Sequence, residues 1–275
     1  MQTAPEIGIN ELRKLIQTIA EQFDYDFSNY SSSSFKRRIQ RFLEIKRLGS
    51  IENLINKIVS GEIKKNELFT EISVNVTELF RDPSFWKHLR KLILEQNLTQ
   101  NIRILQVGSS SGEEVYSLMI LLNDLNLISK AEVISTDINA GILEKAASGL
   151  IPGKNLELNK SNFIKTGYKG DFTSYFTAEG ENFRFNKELL SKIKFKETNF
   201  VKDSFGSGFD IILCRNTLIY HNPQLQNDIL KKLHQALNIS GLLILGSRES
   251  LEWSEVSPKF ALLVPEERIY RKNKV

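Results

Sequence analysis

Apolar residues in the first part of the chain recur every three or four positions. This spacing places them on one face of a helix, and it continues from Ile9 to about Ile63. The serine run 31–34 offers N-caps for a second helix, and Gly49-Ser50 separates that helix from a third. The pattern therefore predicts a small helical bundle. Its apolar positions are Leu12, Ile16, Ile19 and Phe23, then Phe35, Ile39 and Phe42, then Ile51, Leu54, Ile55 and Ile58.

Further along the chain, short apolar runs alternate with helical stretches. The change follows a polar segment, 71–82, and a helix that starts near Pro83. Alternation of this kind predicts a parallel sheet with helices on both faces. The expected strands are 102–107, 133–138, 209–214 and 242–245, and the expected helices are 113–125, 142–150 and 224–237.

One segment, residues 171–196, departs from this alternation because aromatic and polar residues are mixed in it. We expect a β-hairpin there that turns at Glu179-Gly180-Glu181 and is inserted into the α/β domain. The predicted organisation is an all-α domain over 1–70, a linker over 71–90 and an α/β domain over 91–275. The inserted β-subdomain is expected over 171–197.

The composition is that of a folded globular protein, since 41% of the residues are apolar and 25% are charged. The first residues lack an apolar signal core, and no uninterrupted apolar run approaches the ~18 residues of a membrane span. Cys214 is the single cysteine, which excludes an internal disulfide and a cysteine-based metal cluster. The three histidines are not spaced as metal ligands. These features predict a soluble, cytoplasmic protein without a metal site.

The formal net charge of +4 is too small to indicate a nucleic-acid partner, but the charge is unevenly distributed. The second predicted helix carries a basic cluster opposed only by Glu44. Two interpretations are open: a solvated helix face, or a surface that binds an acidic partner. The cluster consists of Lys36, Arg37, Arg38, Arg41, Lys46 and Arg47.

The first predicted strand leads into the turn GSSSGEE, in which Gly108 and Gly112 let the backbone approach a nucleotide. This signal is weak by itself, because glycines at such turns are often only structural. The next strand ends in Asp137, which is placed to accept hydrogen bonds from a ribose diol. Together the two motifs indicate a ligand that contains a nucleoside.

The missing motifs narrow the choice of nucleoside. The chain has neither GxxxxGK[ST] for a triphosphate nor GxGxxG for a pyrophosphate. Glu113 and Glu114 would repel phosphates at a helix N-terminus, although acids in a first helical turn are also ordinary partners of the helix dipole. A cationic nucleoside without phosphate, such as S-adenosylmethionine, fits this charge.

Several segments in order carry a family resemblance. They are NVTELFRD (75–82), GSSSGEEVYS (108–117), STDI (135–138), FDIILCRNTLIYHN (209–222) and GLLILGSRES (241–250), together with FKRRIQRFL (35–43) in the basic helix. In order and spacing they resemble the chemotaxis receptor methyltransferase family, CheR, over nearly the whole chain. The resemblance implies a Rossmann-like S-adenosylmethionine-dependent methyltransferase domain of the α/β class, with a small inserted antiparallel β-subdomain and an N-terminal α-helical bundle.

The same resemblance implies a reaction and its residues. Members of the family transfer a methyl group from S-adenosylmethionine to glutamate side chains of chemoreceptors, forming methyl esters and S-adenosylhomocysteine. Arg81, Arg215 and Tyr220 would be the catalytic residues. Glu114, more than Glu113, would lie near the methionine part, Asp137 at the ribose, and Asn199 with Phe200 beside the adenine. The full set implied for cofactor binding is Asn75, Thr77, Arg81, Gly108, Glu114, Asp137, Asn199, Phe200, Arg215 and Asn216.

The residue types agree with that chemistry. A glutamate carboxylate is ionised near neutral pH, so it needs positioning rather than a general base. An arginine can hold a carboxylate by paired hydrogen bonds, and a tyrosine hydroxyl can orient one oxygen. The alternative is a purely structural role, in which Arg81 and Arg215 only pair with acids such as Asp82 and Glu249, and Tyr220 packs in the core.

The implied partner is the cytoplasmic helical region of a chemoreceptor, contacted by the basic helix 36–47. The β-subdomain resembles one that in some family members binds a receptor's tail. The chain departs from the family pattern after the two glutamates, where Val115 replaces proline. It also departs where Ser247-Arg248 replaces His-Ser and His221-Asn222 follows the tyrosine.

Two other functions stay open. A nucleic-acid methyltransferase is disfavoured, because the chain has no NPPY-type segment, no Pro-Cys nucleophile and no aromatic residues interleaved with the basic run. A non-catalytic sensor or scaffold that binds S-adenosylmethionine is the second alternative. Cys214 closes an apolar strand, and we expect it to be a buried structural thiol.

Overall fold

A computed structural model describes residues 7–72, 77–95 and 101–274. Within these ranges the chain forms two compact units. The helical unit contains the residues up to 72 together with 219–228, and the sheet unit contains 77–218 and the residues from 229 onward. Among the described residues, no helix combines the length and the apolar character needed to cross a bilayer.

The helical unit confirms the predicted bundle and adds a fourth helix. Its helices are α1 (Ile9–Phe23), α2 (Ser32–Lys46), α3 (Ile51–Val59) and α4 (Lys65–Ile72). Helix α2 begins directly after Ser31, and the hydroxyl of Ser50 caps α3 by accepting from the backbone N–H of Asn53 at 3.2 Å. Helix α4 buries Leu68 and Phe69.

The sheet unit alternates strands and helices as predicted. In chain order its elements are α5 (Pro83–Glu95), β1 (Ile102–Val107), α6 (Glu113–Asp124), β2 (Ala131–Asp137), α7 (Ala140–Ser148), β3 (Leu150–Pro152), α8 (Leu156–Lys165), β4 (Phe176–Glu179), β5 (Asn182–Phe185), α9 (Lys187–Leu190), β6 (Ile193–Glu197), β7 (Phe209–Cys214), α10 (Pro223–Ala236), β8 (Leu237–Leu245), β9 (Phe260–Val264) and β10 (Ile269–Lys272). The residues of α10 up to Asp228 belong to the helical unit.

The main sheet has seven strands in the order β6-β2-β1-β7-β8-β10-β9. The first five are parallel, whereas β10 is antiparallel to both of its neighbours. The four strands predicted from the sequence correspond to β1, β2, β7 and β8 and are parallel as expected, whereas β9 and β10 were not predicted. The connection between β9 and β10, residues 265–268, is too short for the crossover that a parallel pair requires.

A second, antiparallel sheet has the order β3-β5-β4. Strands β4 and β5 form the predicted hairpin around Gly180-Glu181. The bounds 171–197 differ from this sheet at both ends. Strand β3 lies upstream and is too short to be recognised from its pattern, and β6 instead pairs with β2 in the main sheet. The side chain of Ile193 in β6 is buried in the main core.

Candidate active site

The parallel strands end at one edge of the main sheet, and their carboxyl ends gather the predicted residues of the sheet unit. Gly108 follows β1, Asp137 ends β2, Asn199 follows β6, and Arg215 follows β7. The chain order along the sheet reverses between β1 and β7. Ligands of open α/β sheets bind in the crevice at such a switch point.

The turn after β1 requires its glycines. Gly108 has φ 80° and Gly112 has φ 100°, a region that residues with a Cβ avoid. A Cβ at Gly108 would collide with the hydroxyl of Thr217, and one at Gly112 would come within 2.5 Å of the Tyr116 ring. The N–H groups of Gly108 and Ser109 each donate to the Thr136 carbonyl at 2.8 Å, which ties the turn to β2.

The same turn contains hydroxyl groups that are buried and unsatisfied. The side-chain oxygens of Ser109 and Ser110 have no hydrogen-bond partner among the described residues. A buried hydroxyl without a partner is costly, so this pair fits a site that a polar ligand completes. The sequence motif contained both serines, but its pattern did not distinguish them from ordinary turn residues.

Asp137 is buried and held from two sides. Its Oδ2 accepts from the N–H of Ser110 at 3.0 Å, and its Oδ1 accepts from the N–H of Asn139 at 3.1 Å. Burial raises the pKa of the Asp137 carboxyl, and the backbone donors oppose that shift. An ionised carboxylate has roughly four acceptor sites, so the backbone donors leave capacity for a ribose hydroxyl.

The two glutamates that open α6 have different environments. Glu113 is buried, and its carboxylate accepts from the hydroxyl of Ser111 at 2.6 Å. Burial raises the pKa of Glu113. Glu114 instead faces Arg215, and Gln106 donates to it at 3.3 Å. Glu114 is therefore the member of the pair that lies at the strand ends.

Arg215 lies between two carboxylates. Its Nη1 is 2.9 Å from Oε2 of Glu114, and its Nη2 is 2.5 Å from Oδ2 of Asp82. The guanidinium is 4.1 Å from the centre of the Phe85 ring, and its side chain is only 2% exposed. The buried Nε has no partner among the described residues. Pairing with Asp82 was the expected contact if Arg215 had only a structural role, and the structure shows that contact.

The carboxylate of Glu249 binds backbone N–H groups of two turns. It accepts from the N–H groups of Asn216 at 2.9 Å, Leu218 at 2.6 Å and Gly246 at 2.6 Å. Glu249 is 4% exposed. It fixes the turn after β7, where Asn216 has φ 57°, to the turn after β8. Its sequence position gave no sign of this role, because the contacts are to backbone atoms that are distant along the chain.

The linker segment is held by residues that the sequence analysis did not single out. The N–H of Phe80 donates to Ser117 of α6 at 2.8 Å, and the N–H of Leu79 donates to Asn159 of α8 at 3.1 Å. Asn162 of α8 donates to the Leu79 carbonyl at 3.1 Å. Phe80 has φ 52°, a strained backbone conformation for a bulky residue. These buried side chains therefore hold an unusual turn in place.

Two of the three predicted linker residues, Thr77 and Arg81, lie within the described part of the chain. Thr77 and Arg81 are half-buried in the sheet unit, and the Arg81 carbonyl accepts from the indole N–H of Trp86 at 3.0 Å. The guanidinium of Arg81 forms no ion pair with another described residue. Asn75 lies outside the described residues.

The predicted adenine contacts lie in the turn after β6. The side-chain oxygen of Asn199 accepts from the N–H of Val201 at 3.0 Å and thus stabilises this turn. Phe200 is buried and packs on Phe205, with ring centres 5.9 Å apart. The N–H of Thr198 donates to the Asp137 carbonyl at 2.8 Å, so this turn is joined to β2.

The third predicted catalytic residue, Tyr220, belongs to the helical unit, where its half-buried ring stacks on Tyr30. Its neighbour His221 is buried, and burial lowers the pKa of that imidazole to about 4. Cys214 is fully buried, as expected, and burial raises the pKa of its thiol. These shifts keep the imidazole and the thiol neutral near pH 7.

The charge and chemistry of the sheet-unit residues fit S-adenosylmethionine. Arg215, Glu114 and Asp82 together carry one more negative than positive charge, which favours a cationic ligand. Asp137 offers acceptors suited to a ribose, and the serine hydroxyls of the glycine turn lack partners.

Comparison with known proteins agrees with this chemistry. The family described as CheR methyltransferase, SAM binding domain, matches residues 75–263, and the CheR methyltransferase all-alpha domain matches residues 10–73. A protein of Pseudomonas putida named Cher3 is 33% identical over 264 residues, covering 96% of this chain and 97% of that protein. The chemotaxis protein methyltransferase of Borreliella burgdorferi is 27% identical over 258 residues, covering 88% of each. That of Listeria innocua is 25% identical over 239 residues, covering 86% of this chain and 88% of the other.

Proposed function

This chain belongs to the CheR methyltransferase family, and on that premise we propose that it methylates glutamate side chains of chemotaxis receptors, forming glutamate methyl esters for sensory adaptation. It is an S-adenosylmethionine-dependent methyltransferase, since the SAM-binding domain covers most of the sheet unit. The receptor substrate is inferred from relatives named chemotaxis protein methyltransferases. We place the reaction in the cytoplasm.

The residues proposed to hold the cofactor come from the carboxyl ends of β1, β2, β6 and β7 and from the linker segment. Asp137 binds the ribose, Glu114 lies near the methionine part, and Asn199 with Phe200 lies beside the adenine. Gly108 permits close approach of the backbone. The remaining proposed contacts are Asn75, Thr77, Arg81, Arg215 and Asn216. The observation that carries this assignment is the excess negative charge of the cluster of Arg215, Glu114 and Asp82.

The chain's own residues then have to position a carboxylate. When bound, S-adenosylmethionine supplies an electrophilic methyl group, which a carboxylate oxygen takes up as the carbon–sulfur bond breaks and its electron pair stays on sulfur. An ionised glutamate loses no proton in this reaction, so no side chain needs to act as a base.

Arg81 is the proposed clamp for the substrate carboxylate, and Tyr220 the proposed hydroxyl that orients one oxygen. Arg215 has a different part, because its terminal nitrogens already bond to Glu114 and Asp82. We propose that Arg215 holds these two acids in place beside the cofactor. Its effect on catalysis is therefore indirect and acts through Glu114 and Asp82.

The decisive experiment combines binding with transfer. Calorimetric titration with S-adenosylmethionine and S-adenosylhomocysteine should show binding that Asp137→Ala abolishes. Incubation with methyl-labelled cofactor and a receptor cytoplasmic fragment should then give label that base releases as methanol, located on glutamates by mass spectrometry. A receptor fragment with its target glutamates changed to glutamine is the matched control. Binding without transfer to any receptor fragment would instead support a sensor or scaffold.

The basic face of α2 is the proposed contact for the receptor. Arg37, Arg41 and Arg47 are exposed there. Part of the cluster is already neutralised within the helical unit, since Arg41 lies 3.9 Å from Glu71 and Lys46 pairs with Glu67 of α4. An acidic helical surface would therefore meet mainly Arg37 and Arg47. A second contact, between the small antiparallel sheet and a receptor tail, is proposed from family resemblance alone.

A further inference from the structure

We propose that Tyr30 is a positioning residue for Tyr220, so that the loop before α2 fixes the orientation of the tyrosine used in methyl transfer. The inference deepens the proposed function and rests on it for the role of Tyr220. All of the contacts that carry it lie inside the helical unit.

The backbone of residues 220–222 is bound to the backbone of residues 29–31. The N–H of Ser31 donates to the Tyr220 carbonyl at 2.8 Å, and the N–H of Asn222 donates to the Asn29 carbonyl at 2.8 Å. Tyr30 and His221 thus form an isolated antiparallel bridge. The amide of Asn222 adds a side-chain bond to the Asn29 oxygen at 2.9 Å. These bonds fix the backbone on both sides of His221.

The rings of Tyr30 and Tyr220 add a side-chain contact to this clamp. Their planes are inclined by only 9°, and their centres are 6.1 Å apart. The ring of Tyr30 also meets that of His221 edge-on, with ring centres 5.2 Å apart. A parallel, offset ring restricts the rotation of a neighbouring aromatic side chain. Tyr30 therefore limits the orientations that the Tyr220 side chain can adopt.

Tyr30 is itself anchored. Its ring packs edge-on against Phe27 at 5.3 Å, and Phe27 packs on Phe35 of α2 at 4.9 Å and on Phe69 of α4 at 5.3 Å. Phe27, Phe35 and Phe69 are buried. The ring that contacts Tyr220 is thus part of the aromatic core of the helical unit.

The position of this loop connects the tyrosine to the basic surface. Helix α2 begins at Ser32, one residue after the Ser31 N–H that holds Tyr220. A partner that binds α2 therefore binds the element that continues directly from the clamp.

The test compares the kinetics of Tyr30 variants. Tyr30→Ala should lower kcat for receptor methylation about 10-fold to 100-fold, because small misplacements of positioning groups have effects of that size. The dissociation constant of S-adenosylhomocysteine should stay unchanged in calorimetry. Tyr30→Phe keeps the ring and should keep most of the activity. Val59→Ala shortens an exposed apolar side chain of α3, in the same unit but outside this aromatic cluster, and it should leave kcat unchanged.

A double-mutant cycle separates positioning from loss of folding. Tyr30→Ala should have little further effect on kcat in a Tyr220→Phe background, because the hydroxyl that Tyr30 positions is then absent. Equal effects of Tyr30→Ala in both backgrounds, or a wild-type kcat in Tyr30→Ala, would overturn the inference. Wild-type protein that binds the cofactor but methylates no receptor fragment would overturn the proposed function, and the inference would fall with it.

Discussion

The Nη1 atom of Arg215 lies 2.9 Å from Oε2 of Glu114, which joins the turn after β7 to the first turn of α6. Because Asp82 bonds to the other terminal nitrogen, this buried cation is already surrounded by carboxylates of its own chain. A substrate carboxylate would have to displace one of them. The arrangement favours Arg215 as an organiser of neighbouring acids and leaves Arg81 as the arginine suited to an incoming anion.

Removing Arg215 should therefore destabilise the fold more than removing Arg81. Arg215→Leu leaves Glu114 and Asp82 facing each other without their cation, and breaking a buried ion pair costs about 3–5 kcal/mol. Asp82 is 39% exposed, so water recovers part of that loss and we expect the lower end. Arg81→Leu, at a half-buried position, should lower the free energy of unfolding by less than about 1 kcal/mol. Urea denaturation followed by circular dichroism measures both, and equal losses would contradict the assignment.

Cofactor affinity should depend on pH through Asp137. Its pKa lies above the ordinary value of 3.8, because burial disfavours the charged form, so protonation begins at a milder pH than for an exposed aspartate. A protonated carboxyl accepts fewer bonds from ribose hydroxyls. Affinity for S-adenosylhomocysteine should therefore fall as the pH decreases through the raised pKa, and calorimetric titrations over a descending pH series would show the decline.

Two variants identify the group responsible for this pH dependence. Asp137→Asn should bind weakly at every pH, without the decline. Glu113 has a pKa that burial also raises, and Glu113→Gln should preserve the decline if Asp137 causes it. If the decrease in affinity at low pH disappears in Glu113→Gln, protonation of Glu113 rather than of Asp137 causes it.

Glu249→Gln should loosen the turn that carries Asn216. The amide retains one acceptor oxygen but replaces the other by a donor, so it cannot accept from all three backbone N–H groups. We expect roughly a 10-fold loss of affinity for S-adenosylhomocysteine, equivalent to about 1.4 kcal/mol. Glu252→Gln, at an exposed position nearby in sequence, is the matched control and should bind normally. Unchanged affinity in Glu249→Gln would show that this turn does not contribute.

Charge reversal on α2 should separate substrate binding from cofactor binding. Arg37→Glu combined with Arg47→Glu should raise the Michaelis constant for a receptor fragment several-fold, and the effect should shrink at high salt because exposed charges are screened. Lys169→Glu with Lys192→Glu changes the net charge equally on exposed positions of the sheet unit. Initial rates measured at several ionic strengths distinguish the pairs. If both double variants raise the Michaelis constant equally, α2 contributes only to the net charge of the protein and does not form a specific contact.

The elements that the sequence predicted best are those with a local signature. The strand ending at Val107, the glycine turn and the strand ending in Asp137 follow from periodicity and from the backbone needs of Gly108. The basic helix was predicted equally well, from the spacing of its apolar residues and from the break at Gly49-Ser50. Each of these features depends on residues close together in the chain.

The features that the sequence did not predict depend on contacts between residues that are distant along the chain. Glu114 and Arg215 are 101 positions apart, and no periodicity links them. Asn159 and Asn162 have the sequence pattern of surface residues on a polar helix, yet α8 buries both of them against the linker. Helix α4 has few apolar positions, so the helical spacing of its apolar residues could not be distinguished from the polar segment that follows it.

The three backbone bonds to Glu249 also bear on how this protein could diverge from its relatives. Ser247 and Arg248, which replace the His-Ser of the family pattern, are exposed, whereas the carboxylate that closes their turn is buried. The fixed turn separates the identity of these two side chains from the geometry of the strand ends. Substitutions at 247 and 248 can therefore alter the exposed surface of this turn and leave the backbone geometry at the strand ends unchanged.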